Sequence, residues 1–237
     1  MPHHHKQLAI ISGGDGYLGS ALCVALERAG WVVAILARHA PTVGKLLFQC
    51  DITNEKEVST AIETITKAHG HIDACIHAAA ALSVGKIDLL ATSAESFDKP
   101  IAVAARGAFV FAKAAMPHMK KDSAFIGITS TLIEPGVSAP RLGSYIASKY
   151  ALRGFLRTLS AEKMSQGIRV YAVAPGFMPG GLNKDLPEAV LKMLASKSGA
   201  GETIVEDVAA VIEKICTQPD AYAPGSSISV PGGTHAL

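Results

Sequence analysis

A glycine-rich segment near the amino terminus constrains the fold of this chain more than any other feature. Residues 12–19, with the sequence SGGDGYLG, follow an apolar run at 7–12 and precede a helical pattern at 18–29. A strand, a glycine loop and a helix in this order bring backbone N–H groups and a helix N-terminus to one point, which suits a pyrophosphate. The segment predicts the phosphate loop of a dinucleotide site, and an ordinary glycine turn is the alternative interpretation.

The residues of this loop have separate expected roles. We expect Gly13 to permit the tight turn, Gly16 to let backbone N–H groups approach a pyrophosphate, and Gly19 to allow close helix–sheet packing. The neighbouring residues that we expect to contact the cofactor are Asp15, Tyr17 and Leu18. Together these residues would bind the phosphates mainly through the backbone.

Strand patterns and helix patterns alternate along the rest of the chain. Strands are predicted at 7–12, 31–37, 46–50, 72–78, 123–130, 168–174 and 226–230, and helices at 18–29, 55–68, 101–119, 144–165 and 204–216. The alternation predicts a Rossmann-type, doubly wound α/β fold, with a mostly seven-stranded parallel sheet and helices on both faces. We expect one domain over residues 1–237, with a substrate loop at about 177–200. Ligands bind such a sheet beyond the carboxyl ends of its strands.

Charge and hydropathy exclude several classes of partner. The net charge is only +2 and no long basic run occurs, which argues against nucleic acid and charged membrane surfaces. No stretch of about 18 apolar residues is present, so we expect no membrane span. The amino terminus has no secretory pattern. We therefore expect a small molecule to be the principal partner.

The four cysteines, Cys23, Cys50, Cys75 and Cys216, are isolated in apolar segments. They have neither the spacing of a metal site nor that of a redox pair. We interpret them as buried thiols of a protein in a reducing compartment. This interpretation predicts a cytoplasmic location and no metal site.

The end of the second predicted strand bears on which dinucleotide would bind. An acidic residue there would hold the adenosine ribose hydroxyls, but the sequence at 36–39 is Leu-Ala-Arg-His. Arg38 would pair with a 2′-phosphate, whereas Asp15 is expected near the same ribose and would repel one. We therefore expect NADP(H) to be preferred, with NAD(H) and a merely solvated Arg38 as the alternatives.

Tyr145 and Lys149 lie four residues apart in the predicted helix 144–165, so their side chains meet on one face. A tyrosine ordinarily titrates near pH 10, about three units above neutrality. A neighbouring ammonium favours the phenolate and lowers that pKa. We therefore expect Tyr145 to exchange a proton with a substrate oxygen while hydride moves to or from a nicotinamide.

Several motifs, in order along nearly the whole chain, resemble those of the short-chain dehydrogenase/reductase family. They are SGGDGYLG at 12–19, Asp51-Ile52, HAAA at 77–80, ITS at 128–130, YIASK at 145–149, AVAPG at 172–176 and VPGG at 230–233. The resemblance implies a dinucleotide-binding domain and an NAD(P)H-dependent oxidoreductase. The glycine spacing is similar to that of the extended branch, but the chain ends after VPGG as short forms do. We expect a short-form member with a divergent glycine motif.

The resemblance implies catalytic roles for three residues. Tyr145 would be the acid/base, and Lys149 would adjust its pKa and anchor the ribose of the cofactor. Ser130 would donate a hydrogen bond to the substrate oxygen. Thr131 is a rival for that role, and ending a strand is the plainer interpretation of Ser130.

The resemblance also implies a set of cofactor contacts. Asp51 and Ile52 would hold the adenine, and the backbone of Ala78, Ala79 and Ala80 would line the cofactor. The residues expected to border the nicotinamide are Pro175, Gly176, Phe177 and Met178. Plainer alternatives are that Asp51 caps a turn and that Pro175-Gly176 interrupts a strand.

Two residues depart from the family pattern. Ala104 stands where relatives usually carry an asparagine that helps to hold a water between the lysine and solvent. Alanine cannot do this, so a proton relay would use another route or be impaired. Gly180 stands where many relatives carry a threonine that contacts the carboxamide of the cofactor.

The expected substrate pocket has mostly apolar walls, as small-molecule pockets tend to have. The walls are Leu132, Ile133, Leu142, Phe177, Met178 and Leu182. They favour a largely apolar carbonyl or alcohol as substrate, and simple packing of the loop is the alternative. By resemblance we also expect a homodimer or homotetramer formed through the helices at 101–119 and 144–165.

Three classes of function stay open on the sequence. The first is an NADP(H)-dependent oxidoreductase, which Ser130, Tyr145 and Lys149 favour. The second is a cofactor-bound protein with weak catalysis that acts as a sensor or partner subunit, which Ala104 favours. The third is a lyase or isomerase that uses the tyrosine on the same scaffold. Fold alone does not choose among them.

Overall fold

The structure is a computed structural model that describes residues 6–39, 46–82, 89–137, 139–184, 188, 191–192 and 201–232. Gly233 of the closing motif and much of the expected substrate loop, at 185–187, 189–190 and 193–200, lie outside these ranges. The expectations that fall there are therefore left as predictions.

Within the described ranges, seven strands form one parallel sheet in the order β3-β2-β1-β4-β5-β6-β7. They are β1 (Leu8–Ser12), β2 (Val32–Ala37), β3 (Leu46–Gln49), β4 (Ile72–His77), β5 (Met119–Ile128), β6 (Arg169–Pro175) and β7 (Ser227–Val230). All six neighbouring pairs are parallel. The predicted Rossmann-type sheet is confirmed.

The helices lie between the strands in the chain. They are α1 (Tyr17–Arg28), α2 (Glu55–His69), α3 (Ala94–Ile101), α4 (Gly107–Ala115), α5 (Gly143–Lys163) and α6 (Val205–Thr217). A π-helix (Ala102–Arg106) joins α3 to α4, and 3-10 turns include Thr131–Ile133 and Gly181–Asn183. No helix in the described part of the chain combines the length and apolar character needed to cross a bilayer.

The two faces of the sheet are buried by different helices because side chains alternate along each strand. On β1, Leu8 and Ile10 belong to the core under α2, α4 and α5, whereas Ala9 and Ile11 belong to the core under α1 and α6. All four side chains are fully buried. The strands are apolar on both faces for this reason, as a parallel sheet covered on both sides requires.

The order of the strands reverses at β1, and this reversal positions the site. β1 pairs with β2 on one side and with β4 on the other, so the chain adds β2 and β3 on one side of β1 and β4 to β7 on the other. Such a reversal opens a crevice beyond the carboxyl ends of the two central strands. Gly13 follows β1 and Ala78 follows β4 at this point, so the predicted phosphate loop and the HAAA motif face one another.

The amino terminus of α2 is held by a reciprocal cap. The Asn54 side chain accepts hydrogen bonds from the backbone of Lys56 and Glu57 at 3.2 and 3.3 Å. In return the Glu57 carboxylate accepts from Asn54 Nδ2 at 2.7 Å and from the backbone N–H of Asp51 at 2.8 Å. The cap therefore places Asp51 at the end of the crevice as well as beginning the helix.

The predicted helix at 101–119 is wrong in both its start and its regularity. The helical segment begins at Ala94, where Ser93 caps it by accepting from the backbone of Ser96 at 3.2 Å. Pro100 lies inside α3, one residue before the end of that helix. The π-helix then interrupts regular winding, and β5 begins at Met119 rather than at residue 123.

Replacement of Asn54 tests the cap. Asn54→Ala should lower the free energy of unfolding by about 1 kcal/mol, because two backbone donors at the start of α2 lose their acceptor. Asn54→Ser keeps an acceptor and should retain most of that stability. Urea denaturation of the three proteins measures the difference, and equal midpoints for wild type and Asn54→Ala would contradict the account.

Candidate active site

A cleft of about 710 Å³ lies at the carboxyl edge of the sheet. Its volume falls within the range of small-molecule sites. Every catalytic and cofactor-binding residue predicted from the sequence lines it: Gly13, Asp15, Gly16, Tyr17, Leu18, Gly19, Arg38, Asp51, Ile52, Ala78, Ala79, Ala80, Ser130, Tyr145, Lys149, Pro175, Gly176, Phe177 and Met178. The structure thus brings residues from separate parts of the chain to one wall or another of a single cleft.

The glycine loop forms a cradle that side chains would fill. Gly13 has φ +72°, and a β-carbon there would lie 2.8 Å from the backbone N and Cα of Ala79. A β-carbon at Gly19 would lie 2.1 Å from the carbonyl oxygen of Gly13. The first N–H groups of α1 lack partners within the helix and carry the positive end of its dipole. The backbone at this place therefore fits an anionic group such as the pyrophosphate of a dinucleotide.

Asp51 lies at the far end of the cleft among positive charges. Its Oδ1 accepts from both the backbone N–H and the hydroxyl of Thr53, each at 2.8 Å. Burial opposes ionisation, but these hydrogen bonds and the charges of Arg38 and Arg106 outweigh it and lower the pKa of Asp51. Asp51 is thus an ionised group that caps a turn and also borders the cleft. The contribution of Arg106 was missed by the sequence analysis.

Tyr145, Lys149 and Ser130 meet at the other end of the cleft. Lys149 Nζ lies 5.4 Å from the centroid of the Tyr145 ring and donates to the carbonyl oxygen of Ile128 at 2.7 Å. Ser130 is hydrogen-bonded to the Tyr145 side chain, and its oxygen also accepts from the backbone N–H of Leu132 at 3.2 Å. A hydroxyl, a phenol and a buried ammonium therefore converge where β5 and α5 meet.

Burial governs the titration of this group. Desolvation raises the pKa of Tyr145, and the hydrogen bond from Ser130 only partly opposes it. The expectation of a lowered pKa for Tyr145 is therefore wrong for the protein without cofactor. Desolvation also lowers the pKa of Lys149 to about 8. The lysine thus titrates near neutrality while the tyrosine keeps its proton.

A buried histidine connects the phosphate loop to the π-helix. His77 is 1% exposed, with Nδ1 at 2.8 Å from the hydroxyl of Ser12 and Nε2 at 3.1 Å from the carbonyl oxygen of Ala104. Since a carbonyl only accepts, Nε2 carries the proton and Nδ1 accepts from Ser12. Burial, and then the charge of Lys149, lower the pKa of His77 to about 3. A neutral imidazole therefore holds the π-helix against the end of β4.

The substrate end of the cleft is apolar, with one correction to its predicted walls. Leu132, Leu142, Phe177, Met178 and Leu182 line the cleft. Ile133 is only 1% exposed and does not reach it. The 3-10 turn at Thr131–Ile133 causes this, because it directs Ile133 into the core while Leu132 faces outward.

Some lining residues had no sequence feature to reveal them. Ala102 and Val103 border the cleft because the π-helix passes beneath it, and Asn183 borders it from the turn after β6. A π-helix has no distinct sequence pattern, so this wall could not be read from periodicity. Among the described residues no group of His, Cys, Asp and Glu is arranged to hold a metal ion.

Proteins of known family resemble this chain in sequence over most of its length. The chain matches the family model described as Enoyl-(Acyl carrier protein) reductase over residues 19–235. It is 30% identical to the 3-oxoacyl-[acyl-carrier-protein] reductase of Homo sapiens, over 98% of this chain and 99% of that protein.

Solved structures share the fold at lower identity. A dehydrogenase/reductase from Sinorhizobium meliloti 1021 superposes with a TM-score of 0.85 at 23% identity, over 96% of this chain and 94% of that one. A structure described as ElxO with NADP bound superposes with a TM-score of 0.81 at 22% identity, over 96% and 98% of the two chains. These structures show the shared fold. The family model and the human relative identify this chain as a member of the short-chain dehydrogenase/reductase family of oxidoreductases.

The buried histidine gives a pH prediction. The folded protein keeps His77 neutral down to about pH 3, whereas the unfolded chain takes up a proton near pH 6.5. Stability from this residue is therefore present above pH 6.5 and is lost as the pH falls below it. Between pH 7 and pH 5 the loss should be about 2 kcal/mol.

The measurement is the unfolding free energy of wild type and His77→Asn at both pH values. The variant lacks the titrating group. The difference in unfolding free energy between wild type and variant should therefore be smaller at pH 5 than at pH 7, by about 2 kcal/mol. A gap that is the same at pH 7 and pH 5 would contradict the neutral, buried state of His77.

Proposed function

We propose that this chain is an NADP(H)-dependent oxidoreductase that interconverts a largely apolar carbonyl compound and its alcohol. The observation that carries the proposal is the convergence of Ser130, Tyr145 and buried Lys149 in the cleft that the glycine loop opens. When bound, the nicotinamide would supply or accept the hydride. The protein would supply binding, orientation and the proton.

The protonation states suit a proton donor for carbonyl reduction. Because burial raises the pKa of Tyr145, the phenol keeps the proton that a developing alkoxide needs. Ser130, already hydrogen-bonded to Tyr145, would hold the same oxygen. Lys149, with a pKa of about 8, is charged at neutral pH and would return a proton to the Tyr145 oxygen after it has protonated the substrate. Its remaining ammonium protons would anchor the ribose.

The cofactor would extend along the cleft from Asp51 to Pro175. In this proposal the Gly13–Gly19 loop binds the pyrophosphate, and Asp51 with Ile52 contacts the adenine. The backbone of Ala78–Ala80 lines the middle of the cofactor. The residues that border the nicotinamide are Pro175, Gly176, Phe177 and Met178.

Charge favours the phosphorylated dinucleotide. Arg38 and Arg106 both act on Asp51, so two guanidinium groups lie near the end of the cleft where a 2′-phosphate would bind. No acidic residue ends β2, although Asp15 opposes the preference from the glycine loop. The related fold described with NADP bound is consistent with this choice.

The substrate end favours a neutral chain. Leu132, Leu142, Met178 and Leu182 offer apolar surface, so a charged acid would lose hydration there without a fixed partner. The human relative is named for a 3-oxoacyl group, which combines a ketone with an acyl chain. A neutral 3-oxoacyl thioester is therefore the first probe to use.

Assembly and location complete the proposal. We propose one domain over residues 1–237, acting in the cytoplasm as a homodimer or homotetramer. Phe109 on α4 and Tyr150 on α5 are 50% and 53% exposed, and Phe109 packs edge-to-face on Phe155. These aromatic side chains on neighbouring helices suit an interface. The four cysteines, all among the described residues, are buried thiols that form no disulfide, as suits a reducing compartment.

A second candidate function is a cofactor-bound protein with weak catalysis. Ala104 favours it, because the alanine side chain offers no polar group and its carbonyl oxygen is already taken by His77. A proton route past this residue would have to use other groups. Tight NADPH binding with no conversion of any carbonyl probe would identify this candidate.

Replacement of Tyr145 tests the proposed chemistry. Tyr145→Phe removes the proton donor and should lower kcat for the N-acetylcysteamine thioester of acetoacetate by about 100- to 10,000-fold. NADPH binding should change little, because the ring remains. Tyr150→Phe, on the exposed side of the same helix, is the matched control. Unchanged turnover in Tyr145→Phe would refute its role as the acid.

Replacement of Arg38 tests the cofactor choice. Arg38→Ala should weaken NADPH binding by about tenfold and leave NADH binding nearly unchanged, because only NADPH carries the 2′-phosphate. Fluorescence titration of both cofactors measures this. Arg28→Ala is the control, because Arg28 lies at the end of α1 that is farther from the glycine loop. Equal weakening of NADPH and NADH would contradict the assignment.

A further inference from the structure

Tyr17 connects the phosphate loop to the segment that follows β6. It begins α1, and its side chain is 44% exposed in the cleft. A β-carbon at Gly180 would lie 2.7 Å from Cζ of the Tyr17 ring and 2.8 and 2.9 Å from its two Cε atoms. A β-carbon at Gly181 would lie 2.8 Å from Cβ of Tyr17. The ring therefore packs directly on the backbone of both glycines.

The segment that meets the ring is a turn braced by its own hydrogen bonds. Asn183 Nδ2 donates to the carbonyl oxygen of Met178 at 2.7 Å. The backbone N–H groups of Asn183 and Lys184 donate to the carbonyls of Gly180 and Gly181, both at 3.3 Å. The turn at 178–184 is thus held by three hydrogen bonds of its own, and it contacts Tyr17 through Gly180 and Gly181.

The two glycines are needed for different reasons. Gly181 has φ +63°, a left-handed conformation that favours glycine whatever surrounds it. Gly180 has φ −96° and ψ −173°, an extended conformation that any residue adopts. Backbone conformation therefore accounts for glycine at 181 but not at 180. At Gly180 the obstacle to a side chain is the Tyr17 ring.

We propose that Tyr17 is a positioning residue that seats the 178–184 turn over the cofactor groove and thereby sets how fast a bound dinucleotide leaves. This inference rests on the proposed function. Tyr17 lies within the glycine loop proposed to bind the pyrophosphate, and the turn directly follows Phe177, at the proposed nicotinamide end. The ring thus connects the two halves of the groove. The groove opens only when the turn separates from the Tyr17 ring.

The test is the dissociation rate of NADPH, followed by its fluorescence after mixing the complex with excess NADP⁺. Tyr17→Ala removes the ring on which the turn packs, and Gly180→Ala adds a methyl group that collides with that ring. Each should speed dissociation by about tenfold, a typical coupling between contacting groups. In the Tyr17→Ala background, Gly180→Ala should change the rate by less than about twofold, because its obstacle is gone. Tyr17→Phe keeps the ring that contacts the turn, so its dissociation rate should lie closer to the wild-type rate than that of Tyr17→Ala.

Hydrogen exchange of the peptide 178–184 without cofactor reads the contact independently of the proposed function. Exchange should be faster in Tyr17→Ala and in Gly180→Ala than in wild type and Tyr17→Phe. If wild type bound no NADPH, the proposed function would fail, while exchange would still report the contact. Two results would overturn the inference: equal dissociation rates in all variants, or additive effects of the two alanines.

Discussion

The close approach of backbone to backbone at the first turn is the constraint on which the rest of the site depends. The Gly13 Cα hydrogens face the backbone of Ala79, and Gly19 lies against the carbonyl of Gly13. The first contact brings the ends of β1 and β4 together at the point where the strand order reverses, and the second packs α1 on the loop. They also leave the start of α1 open to the cleft. A side chain at Gly13 would push the loop away from Ala79, and one at Gly19 would push the start of α1 away from the loop.

The two ends of the groove are built by opposite physical means. At the Asp51 end, exposed guanidinium groups and local hydrogen bonds keep a carboxylate ionised. At the Tyr145 end, burial keeps the phenol protonated and lowers the pKa of Lys149 to about 8. Charge at one end and desolvation at the other suit a ligand with a phosphate-rich half and a reactive, water-excluded half. His77 joins these regions, because it connects Ser12 before the phosphate loop to the π-helix beside Lys149.

Much of this arrangement could be predicted from the sequence because it depends on local patterns. Alternating apolar runs predicted the sheet, and the i, i+4 spacing placed Tyr145 beside Lys149. What could not be predicted depends on tertiary packing. Ile133 looked like a pocket wall by position, but a 3-10 turn buries it. The pKa of Tyr145 was expected to fall through its charged neighbour, yet desolvation dominates. Gly180 appeared only as a departure from relatives until the Tyr17 ring accounted for it.

The most direct test of the central claim is transfer of deuterium from NADPH labelled at C4 of the nicotinamide to the acetoacetyl thioester. Both C4 diastereomers would be incubated with the protein, and the hydroxy product analysed by mass spectrometry. The account predicts deuterium on the carbinol carbon from one diastereomer and none from the other, since a single cleft presents one face of the cofactor. Product formed without deuterium from either diastereomer, or bound NADPH with no product, would contradict hydride transfer at this site.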